Sequence, residues 1–314
     1  VVDEDSPAEL QNTAEELKHE YCIAVRGTVR PRPDDMVNPD MPTGEIEIRA
    51  EEIRILSTCR TLPFMIDEAS EARDELRQKY RYLDLRSFSM QRKIRLRHDV
   101  AFRVREYLYS QGFYEIETPS LIKSTPEGAR DFLVPSRLHQ GKFYALPQSP
   151  QLFKQIIMVS GFDRYFQLAH CFRDEDARGD RQPEHTQVDI EMSFVNKDDV
   201  FSVVEGMLAH VFKQTMDITL QTPFQRISYA DAMNRFGTDK PDLRFGLELR
   251  DFSDRAAASE FKVFRNVVSG GGVVKALVAE GCGEFSRKQI DDLESVATTY
   301  GAKGLAWTRV SESG

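Results

Sequence analysis

Arg173, Glu175, His185, Gln187, Asp189 and Glu191 lie in two adjoining tracts, Cys171 to His185 and Thr186 to Ser193. They combine a permanent cation, carboxylates and an imidazole, the groups that carry charge in catalysis. If the tracts are two strands joined by a charged loop, a side-chain period of two sends residues i and i+2 to one face. In the run from Arg164 to Arg173, Phe166, Leu168 and Phe172 share one face, and Tyr165, Gln167, Ala169, Cys171 and Arg173 share the other. In the second, Thr186, Val188, Ile190, Met192 and Phe194 are mostly apolar, and His185, Gln187, Asp189 and Glu191 are polar. One face should pack on a core while the other does chemistry or meets water. Alternation alone favours plain solvation of an antiparallel sheet. The loop from Asp174 to Glu184 turns the reading toward a catalytic surface. It mixes arginines and carboxylates with Gly179 and Pro183, an odd composition for a tight hairpin.

The elements that must position this face follow from composition. The 314 residues, 40% of them apolar, suffice for two or more domains with their own cores. No stretch approaches the roughly 20 apolar residues of a membrane span, and the acidic start resembles neither a signal nor a transit peptide. A start without methionine, partway through what reads as a strand, suggests a fragment. Cys22, Cys59, Cys171 and Cys282 are isolated and make no metal-ligand spacing, which suits a reducing cytosol. The formal charge of −9 argues against non-specific attraction to polyanions and leaves local basic patches open.

Along the chain, Tyr21 to Arg30 and Glu45 to Leu56 read as strands around a turn-rich connection, a piece of a small β-barrel. Asp67 to Arg86 is helical in pattern. Met90 to Tyr109 reads as a long helix with two apolar stripes, fitting either a subunit interface or a helix sandwiched in its own domain. Gly112 to Pro119 is a short strand closed by proline. Ser149 and Pro150 supply an N-cap and first-turn proline for a helix to Val159, with Gln151 and Lys154 on one face. Asn196 to Lys213 is a further amphipathic helix. Beyond Arg244 the texture changes. Phe261 to Val268 and Val273 to Val278 read as a hairpin around Gly270–Gly272, Ser286 to Tyr300 as a helix, and Gly304 to Val310 as a last strand.

Four tracts together carry a resemblance: Gly112 to Pro119, Ser124 to Arg130, Leu146-Pro-Gln-Ser-Pro-Gln-Leu-Phe-Lys154, and Phe172-Arg-Asp-Glu175 through Glu191. The chain resembles the aspartyl-tRNA synthetases of bacterial type, a class II family, over nearly its whole length. Gln-Ser-Pro-Gln-Leu-Phe-Lys and Phe-Arg-Asp-Glu-Asp are the most specific elements. Glu-Thr-Pro is shared with lysyl and asparaginyl relatives. The resemblance implies an α+β fold, a class II antiparallel sheet with flanking helices. It implies part of an OB-fold anticodon-binding barrel at 1–66, a hinge at 67–88, the catalytic core at 89–243 and part of an α/β insertion domain at 244–314.

The resemblance also assigns roles. Arg173 would contact the α-phosphate of ATP and neutralise charge as the aspartate carboxylate attacks, a task for a forked permanent cation. Asp174, Glu175 and Gln182 would bind ATP, Glu175 through the adenine amino group. His185 stands where the family usually has a phenylalanine that stacks on adenine. Lys154, with Gln151 beside it, would pair with the substrate's side-chain carboxylate, Arg173 would reach its α-carboxylate, and Asp189 and Glu127 would hold its ammonium. Glu127 lies on a loop that closes over the amino acid in the family. The implied substrates are L-aspartate, ATP with Mg2+, and tRNA(Asp). The implied assembly is a cytoplasmic homodimer built on the long helix and Pro119, with no membrane part. Arg26, Arg30 and Arg32 would supply part of a basic groove on the barrel. The family's third motif, with a further ATP arginine, does not appear before Gly314, so the chain alone is expected not to aminoacylate tRNA. Two other readings stay open, a non-catalytic tRNA-binding or dimerising module and an asparaginyl or lysyl specificity.

Overall fold

A computed structural model of the chain describes residues 1–66, 71–125, 127–176, 179, 181–302 and 304–310. They form two compact units, Val1–Thr222 and Pro223–Gly314, where the sequence suggests a boundary between 243 and 244. Part of the expected hinge and of the charged loop, residues 67–70, 177, 178 and 180, lies outside the described residues.

The first unit opens with helix α1 (Ala8–Glu15), which packs on the second of two strands, β1 (Cys22–Pro31) and β2 (Ile46–Ser57). These pair antiparallel, with Ile23 opposite Ile55, Val25 opposite Ile53 and Val29 opposite Ile48. Alternation therefore collects the apolar side chains on one face and Arg26, Thr28 and Arg30 on the other. A register shift falls between Arg26 and Gly27, where a Cβ would overlap the Arg49 carbonyl. The strands form a sheet of their own, and no barrel closes among the described residues. The arginines expected to line a basic groove are already engaged. Arg30 donates to both Asp3 oxygens at 2.8 Å and to Glu47 at 2.8 Å, and Arg26 pairs with Glu52 at 3.4 Å. Arg32 spends its donors on the Ile46 and Met36 carbonyls.

Two short helices, α2 (Asp74–Lys79) and α3 (Arg81–Asp84), lead into α4 (Phe88–Ser110). Ser87 caps α4 by accepting from the Met90 N–H. Strand β3 (Tyr114–Glu115) follows, then the antiparallel pair β4 (Leu133–Pro135) and β5 (Phe143–Ala145), and helix α5 (Gln151–Val159). The central hairpin is β6 (Arg164–Phe172) and β7 (Glu184–Met192), and α6 (Lys197–Met216) closes the unit behind an Asn196 capping box. The sheet order is β3-β6-β7, with β3 parallel and β7 antiparallel to β6.

The core lies under the apolar face of that hairpin. Val104 and Leu108 of α4, Phe113, Phe166 of β6, and Met207 and Val211 of α6 form one buried cluster, with Ile190 and Met192 packed against it. Burying each such side chain is worth about 1.5–3 kcal/mol, and together they hold the hairpin against both helices. The helices approach closely because Gly206 has no side chain, since a Cβ there would overlap the Tyr107 hydroxyl. Helix α5 packs on β6 and β7 from the opposite, polar face.

The second unit contains α7 (Tyr229–Phe236), β8 (Leu249–Asp251), α8 (Ser253–Ala258), α9 (Lys262–Ser269), β9 (Lys275–Leu277) and α10 (Arg287–Thr299). Two sequence expectations fail here. The tract expected as a strand at Phe261 to Val268 forms α9 behind a Phe261 N-cap position, because Phe261, Phe264, Val267 and Val268 recur every three or four residues, and that period outweighs their β propensity. The Phe261 and Phe264 rings stack edge to face at 4.8 Å. Strand β9 consequently pairs with β8 instead of with residues 261–268. The expected strand at 304–310 forms no regular element, although Trp307 is flanked by the Arg287 and Arg309 guanidiniums. The expected helix at Ser286 to Tyr300 is α10, capped by Ser286, whose side chain accepts from the Gln289 N–H. Among the described residues no helix is long and apolar enough to cross a membrane.

Candidate active site

Register across the hairpin confirms the polar face. Cys171 faces His185, Ala169 faces Gln187, Gln167 faces Asp189 and Tyr165 faces Glu191. Helix α5 lies over this face and delivers Lys154, whose ammonium donates to Asp189 Oδ1 at 2.8 Å and pairs with Glu191 at 3.2 Å. Gln187 Nε2 donates to the other Asp189 oxygen at 2.8 Å. The cluster is sequestered, with the Lys154 and Asp189 side chains 13% and 1% exposed. Burial alone would lower the Lys154 pKa, but its bonds and charge contacts with Asp189 and Glu191 outweigh that and raise it. It is therefore fully charged at neutral pH.

Beneath the cluster, Tyr165 is fully buried and donates to Gln167 Oε1 at 2.8 Å, and Thr118 donates to the same oxygen at 3.0 Å. Burial first, and the nearby carboxylates second, push the Tyr165 phenol well up, so it stays a neutral donor. Burial likewise raises the Cys171 thiol, which argues against a nucleophilic cysteine on this face. A cleft of ≈ 560 Å³ opens beside the face, lined by Thr118, Pro147, Pro150, Gln167 and Ala169 among others.

Arg173 continues the face just past the end of β6. It is half-buried, and its Nε donates to the Gln148 carbonyl at 3.4 Å. Among the described residues no carboxylate pairs with its guanidinium. Its own N–H is tied to the Pro183 carbonyl at 2.8 Å, which closes the base of the charged loop. Asp174 N–H donates to the Arg130 carbonyl at 3.1 Å, bringing the Ser124 to Arg130 loop against the hairpin.

Other sequence-predicted residues are more loosely gathered. Glu127 is exposed, and its carboxylate accepts from Ser149 at 2.9 Å and Thr125 at 3.3 Å. Ser149 is thus not the helix cap that its position suggests. Pro150 occupies the cap of α5, and the Ser149 hydroxyl goes to Glu127. Gln151 is half-buried as the first residue of α5, and His185 is half-buried on β7. Glu175 and Gln182 are exposed on the charged loop. Glu191, placed on the polar face by alternation, gains a specific role here as the second carboxylate on Lys154. Ser149 and Gln148 are partners that sequence reasoning left out of the site, and a polar pair between Pro147 and Pro150 marks them.

A family model described as tRNA synthetases class II (D, K and N) matches residues 73–295. The chain belongs to this family. The class II chain is also 58% identical, over 100% of its length and 53% of the relative's, to an aspartate–tRNA(Asp/Asn) ligase of Treponema denticola. It is 57% identical to an aspartate–tRNA ligase of Ruminiclostridium cellulolyticum, over 98% of its own length and 52% of that protein's. It therefore spans about half the length of the curated relatives it matches. Among solved structures, an asparaginyl-tRNA synthetase of Pyrococcus horikoshii complexed with asparaginyl-adenylate aligns at TM-score 0.63. That alignment has 22% identity and covers 82% of this chain and 60% of that one, which supports the class II fold.

Proposed function

We propose that the chain carries the amino-acid-activating site of an aspartate–tRNA ligase. The carrying observation is the sequestered Lys154 between Asp189 and Glu191, with the half-buried Arg173 on the same face. Aspartate presents two carboxylates and one ammonium. Lys154 suits the side-chain carboxylate, Asp189 and Glu127 suit the ammonium, and Arg173 suits the α-carboxylate and the α-phosphate of ATP. Asparagine in the same place would leave Lys154 facing a neutral amide, so charge does the sorting.

The reaction then needs no protein nucleophile. The aspartate α-carboxylate attacks the α-phosphorus of ATP and pyrophosphate leaves; the terminal ribose hydroxyl of tRNA(Asp) then takes the aspartyl group from the adenylate, with AMP as the leaving group. Positioning and charge neutralisation by Arg173 supply the acceleration. On this reading Glu175, Gln182, His185 and Asp174 hold the nucleotide, and Gln151 supports Lys154. Magnesium enters as part of the ATP substrate. Among the described residues no group of three or more His, Cys, Asp or Glu could hold a resident metal ion.

The exposed apolar side chains Ile94, Leu96 and Phe102 along α4 support a homodimer. The free thiols suit the cytoplasm. The domain assignment of the sequence reading stands as part of this proposal. The name of the Treponema denticola relative favours a second substrate, tRNA(Asn), which direct charging of purified tRNA(Asn) tests.

The central test is aspartate-dependent ATP–pyrophosphate exchange by the complete gene product. Arg173→Ala should lower it roughly 10²–10³-fold, the usual cost of removing one charge-stabilising donor. Exchange at a near-normal rate in that variant would refute the assignment of the polar face. Exchange driven by asparagine or lysine instead of aspartate would transfer the site to those specificities.

A further inference from the structure

The loop that carries Glu127 is framed by backbone pairing at both ends. Ile122 exchanges hydrogen bonds with Ala145 at 3.0 and 2.8 Å, and Leu146 N–H donates to the Phe132 carbonyl at 2.9 Å. One side chain bridges the span between them. Gln148 is 4% exposed, and its Oε1 accepts from the Ala129 N–H at 3.1 Å while its Nε2 donates to the Ala129 carbonyl at 2.9 Å. The same Nε2 donates to Asp131 Oδ1 at 2.5 Å. Asp131 is held from the other side by the Ser124 hydroxyl at 2.6 Å. Burial would raise the Asp131 pKa, but the bonds from Gln148, Ser124 and the Thr125 backbone outweigh it and lower it, so the carboxylate stays an acceptor.

We propose that Gln148 is a positioning residue, a latch that fixes the Ser124 to Asp131 loop and thereby sets where Glu127 meets the amino acid. The requirement is specific to a primary amide. One group must accept from a backbone N–H and donate twice, to a carbonyl and to a carboxylate, and no other neutral side chain of this length does so. Glutamate would keep the acceptor, lose both donors and face Asp131 with like charge. The latch is separable from Arg173, which holds the backbone carbonyl of Gln148 and not its side chain. Glu127 itself rests on Ser149, the next residue along, so the latch and the loop tip are anchored to one short segment. The proposal rests on the aspartate-activating reading, because Glu127 matters only if this site takes an amino acid.

The experiment uses the complete gene product with Gln148→Ala, Gln148→Glu and the double substitution Gln148→Glu with Asp131→Asn. Hydrogen–deuterium exchange reads the loop, and pyrophosphate exchange reads KM for aspartate and for ATP. Both single variants should speed deuterium uptake in the 124–131 peptide while leaving that of α6 unchanged. They should raise the aspartate KM roughly tenfold, as loss of several buried hydrogen bonds implies, and leave the ATP KM within about twofold. The double variant restores one donor–acceptor pair with reversed polarity and should recover part of the aspartate KM. Unchanged uptake in 124–131, an unchanged aspartate KM, or equal rises in both KM values would overturn the latch. Where the unsubstituted protein shows no aspartate-dependent exchange, it is the functional reading that fails, and deuterium uptake alone then judges whether Gln148 holds the loop.

Discussion

Asp84 and Asp189 are the two most deeply buried carboxylates among the described residues of the first unit, and their surroundings differ. Asp84, at 0% exposure, receives Arg77 Nε at 2.9 Å on one oxygen and Arg81 at 2.5 Å on the other. Its backbone carbonyl accepts from Ser87, the cap of α4. Two cations serve one anion, and both oxygens are taken. Asp189, at 2% exposure, shares one Lys154 with Glu191 and takes a neutral Gln187. Here two anions serve one cation, and the lysine retains a third ammonium hydrogen. Burial of an acid therefore does not mark a site. Stoichiometry separates them: the Asp84 cluster is closed and fastens α2 and α3 to α4, whereas the Asp189 cluster holds an excess of acid over base and one uncommitted lysine hydrogen, the capacity on which the proposed amino-acid site rests.

The contrast predicts opposite phenotypes for the same substitution. Asp84→Asn should cost about 3–5 kcal/mol, because it leaves two guanidiniums without their buried partner. Urea unfolding measures that loss, while pyrophosphate exchange per folded molecule should hold. A variant of normal stability and reduced exchange would place Asp84 in the site and erase the distinction. Asp189→Asn should do the reverse. Lys154 keeps Glu191 and the buried anion is itself removed, so stability should fall by well under the about 3–5 kcal/mol that an unpaired buried charge costs, while aspartate-dependent exchange falls at least roughly tenfold through the aspartate KM. A large loss of stability at unchanged KM would make this cluster structural too.

The sequence shows the second cluster better than the first. Lys154, Asp189 and Glu191 were legible because strand alternation and a specific tract each select them, and the register of β6 with β7 then fixes their common face. The two apolar stripes of α4 were legible for the same reason, through helical period. Asp84 gave no such signal, since its partners are set by how two short helices turn and not by spacing. Ser149 was misread because a serine before a proline suits a helix cap, and only the folded path of the Ser124 to Arg130 loop brings Glu127 to it as a partner. Phe261 to Val268 was misread because aromatic and β-branched content favours strand while the three-to-four spacing that decides helix is short. Local periods read well from sequence, and contacts that depend on a loop's path do not.

Alkaline pH tests the Lys154 cluster by a smaller effect. The Lys154 pKa is raised in the folded chain, since its carboxylate partners outweigh burial. A cation whose folded pKa exceeds its unfolded one stabilises fully below the unfolded value, about 10.4 for lysine, and loses that contribution as pH rises through the folded value. The stability difference between the unsubstituted chain and Lys154→Met should accordingly be flat across neutral pH and shrink only on the alkaline side. The core substitution Met207→Leu removes no titrating group, so its stability difference should stay level over the same range. Urea unfolding of both pairs at a series of pH values reads the two slopes directly. Parallel curves would mean that Lys154 draws no net stability from Asp189 and Glu191, and the surplus of acid at the site would then have to be held by something other than this lysine.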